Sequence, residues 1–138
     1  MDDLNKYMNN VSTISALREK VQLLVDTKEA YLKQEPLKVL SAVELEDNKK
    51  MTDRYKDAVD RNNMLIDFVM EIKNEIFKMK LVKESIDRNT QVGLNQLKVI
   101  DSFINILNDI LNIMYDEKSK LDRIVRYYEK TFNYYNVY

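Results

Sequence analysis

Apolar residues recur at helical spacing from early in the chain. Ile14, Leu17, Val21, Leu24 and Tyr31 fall on one face, and Val11, Val25 and Leu32 widen it. This pattern predicts a first long helix over roughly residues 12–34. Pro36 is its stop, because proline lacks an amide hydrogen and disfavours helical geometry at Glu35. Proline also suits the first position of a helix, so "KQEPLKV" reads as one helix ending and another starting. Ser41 and Glu44 have the spacing of a capping box, but we read Ser41 as an exposed serine in mid-helix.

From Met51 the spacing becomes more regular. Met51, Tyr55, Ala58, Asn62, Leu65, Val69, Ile72, Ile76 and Met79 alternate steps of four and three, which is a heptad seam. The register continues through Ile86, Thr90, Gly93, Leu97, Ile100, Ile104, Leu107, Leu111 and Met114, interrupted by Lys83, Thr90 and Gly93. Two breaks compete. Asn89, Thr90 and Gly93 supply a cap and a helix-weakening residue, and Asn62 with Asn63 offers an earlier interruption.

Between residues 97 and 114 the seam is doubled by a second stripe of Val99, Phe103, Ile106, Ile110 and Ile113, which leaves one narrow polar line. Eleven of these eighteen residues are apolar. Each is worth about 1.5 to 3 kcal/mol when buried, so this helix needs two neighbours. They are either two helices of its own chain or one helix and the surface of a partner. The fold expected is all-α: an antiparallel bundle of three long helices with some coiled-coil character over residues 1–116, then a helical or flexible tail over 117–138.

Composition narrows the function. One glycine and one proline in 138 residues leave too few turn formers for a sheet protein. The 22 basic and 23 acidic residues nearly cancel, so no global field favours nucleic acid. The most apolar window, residues 99–115, carries Asp101, Asp109 and three asparagines and is short for a bilayer span, so no integral membrane segment is expected. "MDDLNKYMNN" does not reach the apolar stretch of a secretory signal, and cysteine is absent, which together point to the cytoplasm. Without histidine or cysteine the chain lacks the commonest general base, zinc ligands and thiol nucleophile. We expect no enzyme, no cofactor and no metal. Methionine is frequent, as core filler or as part of an adaptable surface.

The stretch "KSKLDRIVRYYEKTFNYYNVY" is net positive by three and holds five of the nine tyrosines. Leu121, Val125, Tyr128, Phe132 and Tyr135 continue the alternating spacing, which places them on one stripe suited to docking protein. The stretch either caps its own bundle or holds a partner.

Two segments, "LLVDTKEAYLKQEPLKVLSAVELEDNKKM" and "RNTQVGLNQLKVIDSFINILNDILNIMYDEKSK", resemble those of the FlgN-type flagellar export chaperones. The chain has Ser119 where that family often has a glycine, and its tail carries more tyrosine. The resemblance implies a cytoplasmic chaperone that masks the apolar terminal helices of secreted hook-filament junction subunits and delivers them to the export gate. By position it implies cargo holding by Leu107, Ile110, Leu111 and Met114 with the tail, and gate docking by Tyr115. Phe103 on the second stripe, and Leu121, Val125, Tyr128 and Phe132 on the tail stripe, complete the expected partner-binding set. A homodimer is compatible with that chaperone reading; the competing expectation is a self-associating subunit of a virion or cytoskeletal assembly that oligomerises through the Met51–Met79 seam, with Asn62 fixing its register.

Overall fold

A computed structural model describes the backbone of residues 2–37, 40–41 and 44–136, and the side chains between Asn10 and Thr131 except Leu45 and the residues left out of that backbone. Three long helices make up nearly all of it: α1 (Asp2–Leu32), α2 (Asn48–Glu84) and α3 (Gln91–Asn136), with a short 3-10 turn at Glu44–Glu46. No strand occurs among the described residues. The chain divides into two compact units. The first joins the segment up to Lys33 with Glu71–Asn112, and the second joins Gln34–Met70 with the segment from Ile113 onward.

In the first unit, α1 supplies Leu17, Val21 and Leu24 to the core, α2 supplies Ile72, Ile76 and Met79, and α3 supplies Ile100, Phe103, Ile104, Leu107 and Ile110. These are the stripes that the spacing marks, at i, i+3, i+4 and i+7. Ion pairs fasten the edges: Lys20 Nζ lies 2.6 Å from Glu71, and Lys83 pairs with Asp101. Lys83, which interrupts the heptad, thus sits half-buried beside a carboxylate of the facing helix.

The break between α2 and α3 lies at residues 85–90, and α2 passes through Asn62 and Asn63 without interruption. Thr90 Oγ1 accepts from the Gly93 amide at 3.0 Å, capping α3, and Asp87 Oδ1 accepts from the Asn89 amide at 2.9 Å. Gly93 is not positive in φ. It is needed for space, because a Cβ there would overlap the Asp87 carbonyl oxygen.

The second unit begins with the connector. Here the expected helix start after Pro36 is corrected: residues 35–37, 40 and 41 are not helical, and α2 begins at Asn48. Ser41 is no mid-helix serine either. Its amide and hydroxyl donate to Glu44 Oε1 at 3.2 and 3.0 Å, and the Glu44 amide donates to Ser41 Oγ at 3.3 Å, a closed capping box on the 3-10 turn. Asp47 then caps α2 by accepting from the amides of Lys49 and Lys50. α1 itself starts at Asp2 rather than near residue 12. Leu4, Tyr7, Met8 and Val11 stand at i, i+3, i+4 and i+7, a helical period that the start expected near residue 12 left out.

α3 continues to Asn136, so a boundary at residue 117 falls inside a helix. Leu40, Met51 and Tyr128 form one buried cluster, with Tyr55 and Ile124 packed against it. The Leu40 amide donates to Tyr128 Oη at 3.3 Å, Arg61 Nη1 donates to the Glu35 carbonyl at 2.7 Å, and Tyr55 Oη donates to Glu129 Oε1 at 3.2 Å. The first two bonds tie the irregular connector to α3 and α2, and the third joins those two helices to each other.

Candidate functional site

The expected partner-binding set lands mostly inside the protein. In the first unit Phe103, Leu107 and Ile110 are buried and Leu111 is half-buried, Leu107 being fully out of water. In the second unit Met114 is fully buried, Leu121 and Tyr128 are buried, Val125 is half-buried and Tyr115 is exposed. The Phe132 side chain lies outside the described residues. Of the two alternatives for the α3 double stripe, the one in which its own chain covers it holds in the first unit, apart from Ile106. In the first unit, residues 97–112 face neighbours on two sides, as the Arg18 guanidinium 5.9 Å from the Phe103 ring centre and the Lys83–Asp101 pair record. Two neighbours take up two stripes. Up to Thr131 the tyrosine-rich stretch likewise acts as a packed cap, with Tyr128 in the core and the Tyr127 ring edge-on to it at 5.5 Å. The seam from Met51 to Met79 is spent in the same way, since Met51, Ala58, Leu65, Val69, Ile72, Ile76 and Met79 are all buried by their own chain.

Apolar surface remains elsewhere. On α2 in the first unit, Phe77 is 63% exposed and Leu81, one turn on, is 50% exposed. The heptad seam does not contain either residue, which is why spacing arguments passed over them. The methionines divide similarly: Met51, Met79 and Met114 are core, whereas Met64 and Met70 stand in water.

The first unit also carries a groove of about 420 Å³ between α1 and α3. Val11, Ile14, Val92 and Val99 form its apolar lining, and Ser15, Arg18, Asn95 and Gln96 its polar one. The Gln96 Nε2 atom is buried without a hydrogen-bond acceptor among the described residues. Among the described residues Arg18 forms no ion pair, and its guanidinium rests over Phe103. Among the described residues no acidic side chain lines the groove. Arg18 and Gln96 have no place in the hydrophobic pattern, so periodicity gives no signal for them.

Titratable groups elsewhere are explained by their partners. The Glu71 hydrogen bond holds the Lys20 ammonium above the ordinary lysine range, and the Ser41 hydrogen bonds hold the Glu44 carboxyl below the ordinary carboxylate range. Desolvation, with the bond to Glu129, raises the Tyr55 phenol. Among the described residues no cluster of three or more potential ligands is placed to hold a metal ion, and no helix is long and apolar enough to cross a membrane. No family model, curated protein or solved structure matches this chain. The FlgN-type likeness therefore rests on its two sequence segments alone.

Proposed function

We propose that this chain is a non-catalytic helical protein of the cytoplasm that works by holding an apolar helix of another protein, in the manner of the FlgN-type export chaperones it resembles. The observation that carries this reading is the pair Phe77 and Leu81, two large apolar side chains one turn apart on α2 that the fold leaves in water. A helical partner laid along that face would cover both, as helix-in-groove recognition uses residues at i and i+4. On this reading the cargo surface lies on α2 and not on the α3 residues that the resemblance implies, of which Leu107, Ile110 and Met114 are buried. The absence of histidine and cysteine agrees with a role in which binding and release are the whole task.

The test is a titration of the chain with a purified hook-filament junction subunit. Saturable binding that disappears in the double variant Phe77→Ser, Leu81→Ser, with the melting curve unchanged, is the expected result. Binding indifferent to that change would overturn the surface, and no binding would overturn the cargo. A large oligomer that persists on dilution and dissolves in the same double variant would instead establish the self-associating subunit.

A further inference from the structure

Among the described residues, the groove between α1 and α3 presents one cation, three further polar side chains and four aliphatic walls, with no carboxylate. Two observations point to the charge of what it would take. Arg18 is a guanidinium without an ion pair among the described residues, and such a fork matches a carboxylate in two parallel hydrogen bonds. Gln96 Nε2 is a buried donor without an acceptor among the described residues, a costly arrangement that a ligand oxygen would relieve. Val11, Ile14, Val92 and Val99 call for an apolar body behind that charge. The lining runs from Val11 to Arg18 on α1 and from Val92 to Val99 on α3, so the groove spans about two turns of each helix, about 10 Å. Its volume lies at the small-molecule end of pocket sizes, about 300 to 1,000 Å³. A partner helix would overrun it.

We propose that this groove binds a free aliphatic monocarboxylate of medium chain length, with the carboxylate between Arg18 and Gln96 and the chain against the valines. This site is separate from the Phe77–Leu81 face and does not depend on the function assigned to it.

The test uses the full chain and decanoate below its micelle concentration, followed by titration calorimetry and by backbone amide shifts. One saturable site is expected, with shifts at residues 11–18 and 92–99. Octanoate should bind about tenfold more weakly, from the loss of two methylenes, and decan-1-ol also about tenfold more weakly, from the loss of the charge-assisted bonds. Arg18→Gln should weaken decanoate by a similar factor while Arg18→Lys retains part of it, and Gln96→Leu should weaken it less. Phe77→Ser should leave it unchanged. Arg18 is exposed, so the fold is expected to persist, and the Gln96→Leu variant supplies an independent check if the Arg18→Gln melt shifts. Absence of saturable binding, equal affinity for decan-1-ol, or full affinity in both Arg18→Gln and Gln96→Leu would overturn the proposal. Loss of binding in Phe77→Ser would place the acid on α2 and overturn it as well.

Discussion

Within the first unit, two helical stretches treat their apolar side chains in opposite ways. Residues 97–112 of α3 carry a double stripe, and most of it is covered: Ile100, Phe103, Ile104, Leu107 and Ile110 are buried, while Ile106 alone among the large aliphatics there stands at the margin of exposure. Residues 71–84 of α2 carry an orderly seam of Ile72, Ile76 and Met79, yet they leave Phe77 and Leu81 in water. The helix that looked oversupplied is satisfied, and the helix that looked complete has a surplus. The number of apolar residues on a helix fixes how much surface wants cover. How much receives it depends on how many neighbours the helix has.

The sharpest way to break this comparison is at Leu107. If α3 is a core helix, Leu107→Ala costs about 2 to 5 kcal/mol in urea unfolding, the range for a fully buried leucine. A loss below about 0.5 kcal/mol would return the residue to the surface role that the resemblance implied. Next is Tyr128→Phe, which strands the Leu40 amide in a buried cluster and should cost about 1 to 3 kcal/mol. This variant separates a structural cap from a partner-holding arm, because an arm would melt unchanged.

A gain is expected at Asn62. Its Oδ1 is buried without a partner among the described residues, in the middle of an unbroken α2. Asn62→Leu should therefore raise stability by about 1 kcal/mol, read as a higher urea midpoint. A drop would mean that the asparagine is satisfied in solution. On the opposite side of the comparison, Phe77→Ser should shift stability by no more than about 0.5 kcal/mol, as an exposed position does, while abolishing partner capture.

The smallest effect belongs to the Ser41–Glu44 box. Because the Glu44 carboxyl is held below the usual range in the folded protein, its contribution is fully present above that range and is lost as pH falls through the depressed value. Glu44→Gln should flatten that part of the acid unfolding profile, which circular dichroism against pH would show. The Lys20–Glu71 pair works with the opposite sign: its contribution is present below the ordinary lysine range and fades as pH rises through the raised value.

Much of the fold could be read from spacing. The stripe of Leu17, Val21 and Leu24 and the seam from Met51 to Met79 are core where the period put them, because a helix repeats its faces every turn regardless of what lies beside it. The turn at residues 85–90 could also be read, since Thr90 and Gly93 act through neighbours in sequence. The connector could not. Pro36 suggested a helix start, but Arg61 on the Glu35 carbonyl and Tyr128 on the Leu40 amide hold Glu35 and Leu40 by contacts from elsewhere in the chain.

The candidate sites divide along the same line. By itself the sequence determined the class, the helical stripes and the lack of histidine and cysteine chemistry, all of which depend on residue type and short-range period. Only the tertiary structure decided which greasy side chains remain at the surface, and that Arg18 and Gln96 meet at one groove. Burial is a property of pairs of helices, and pairing is not written in the period of either one.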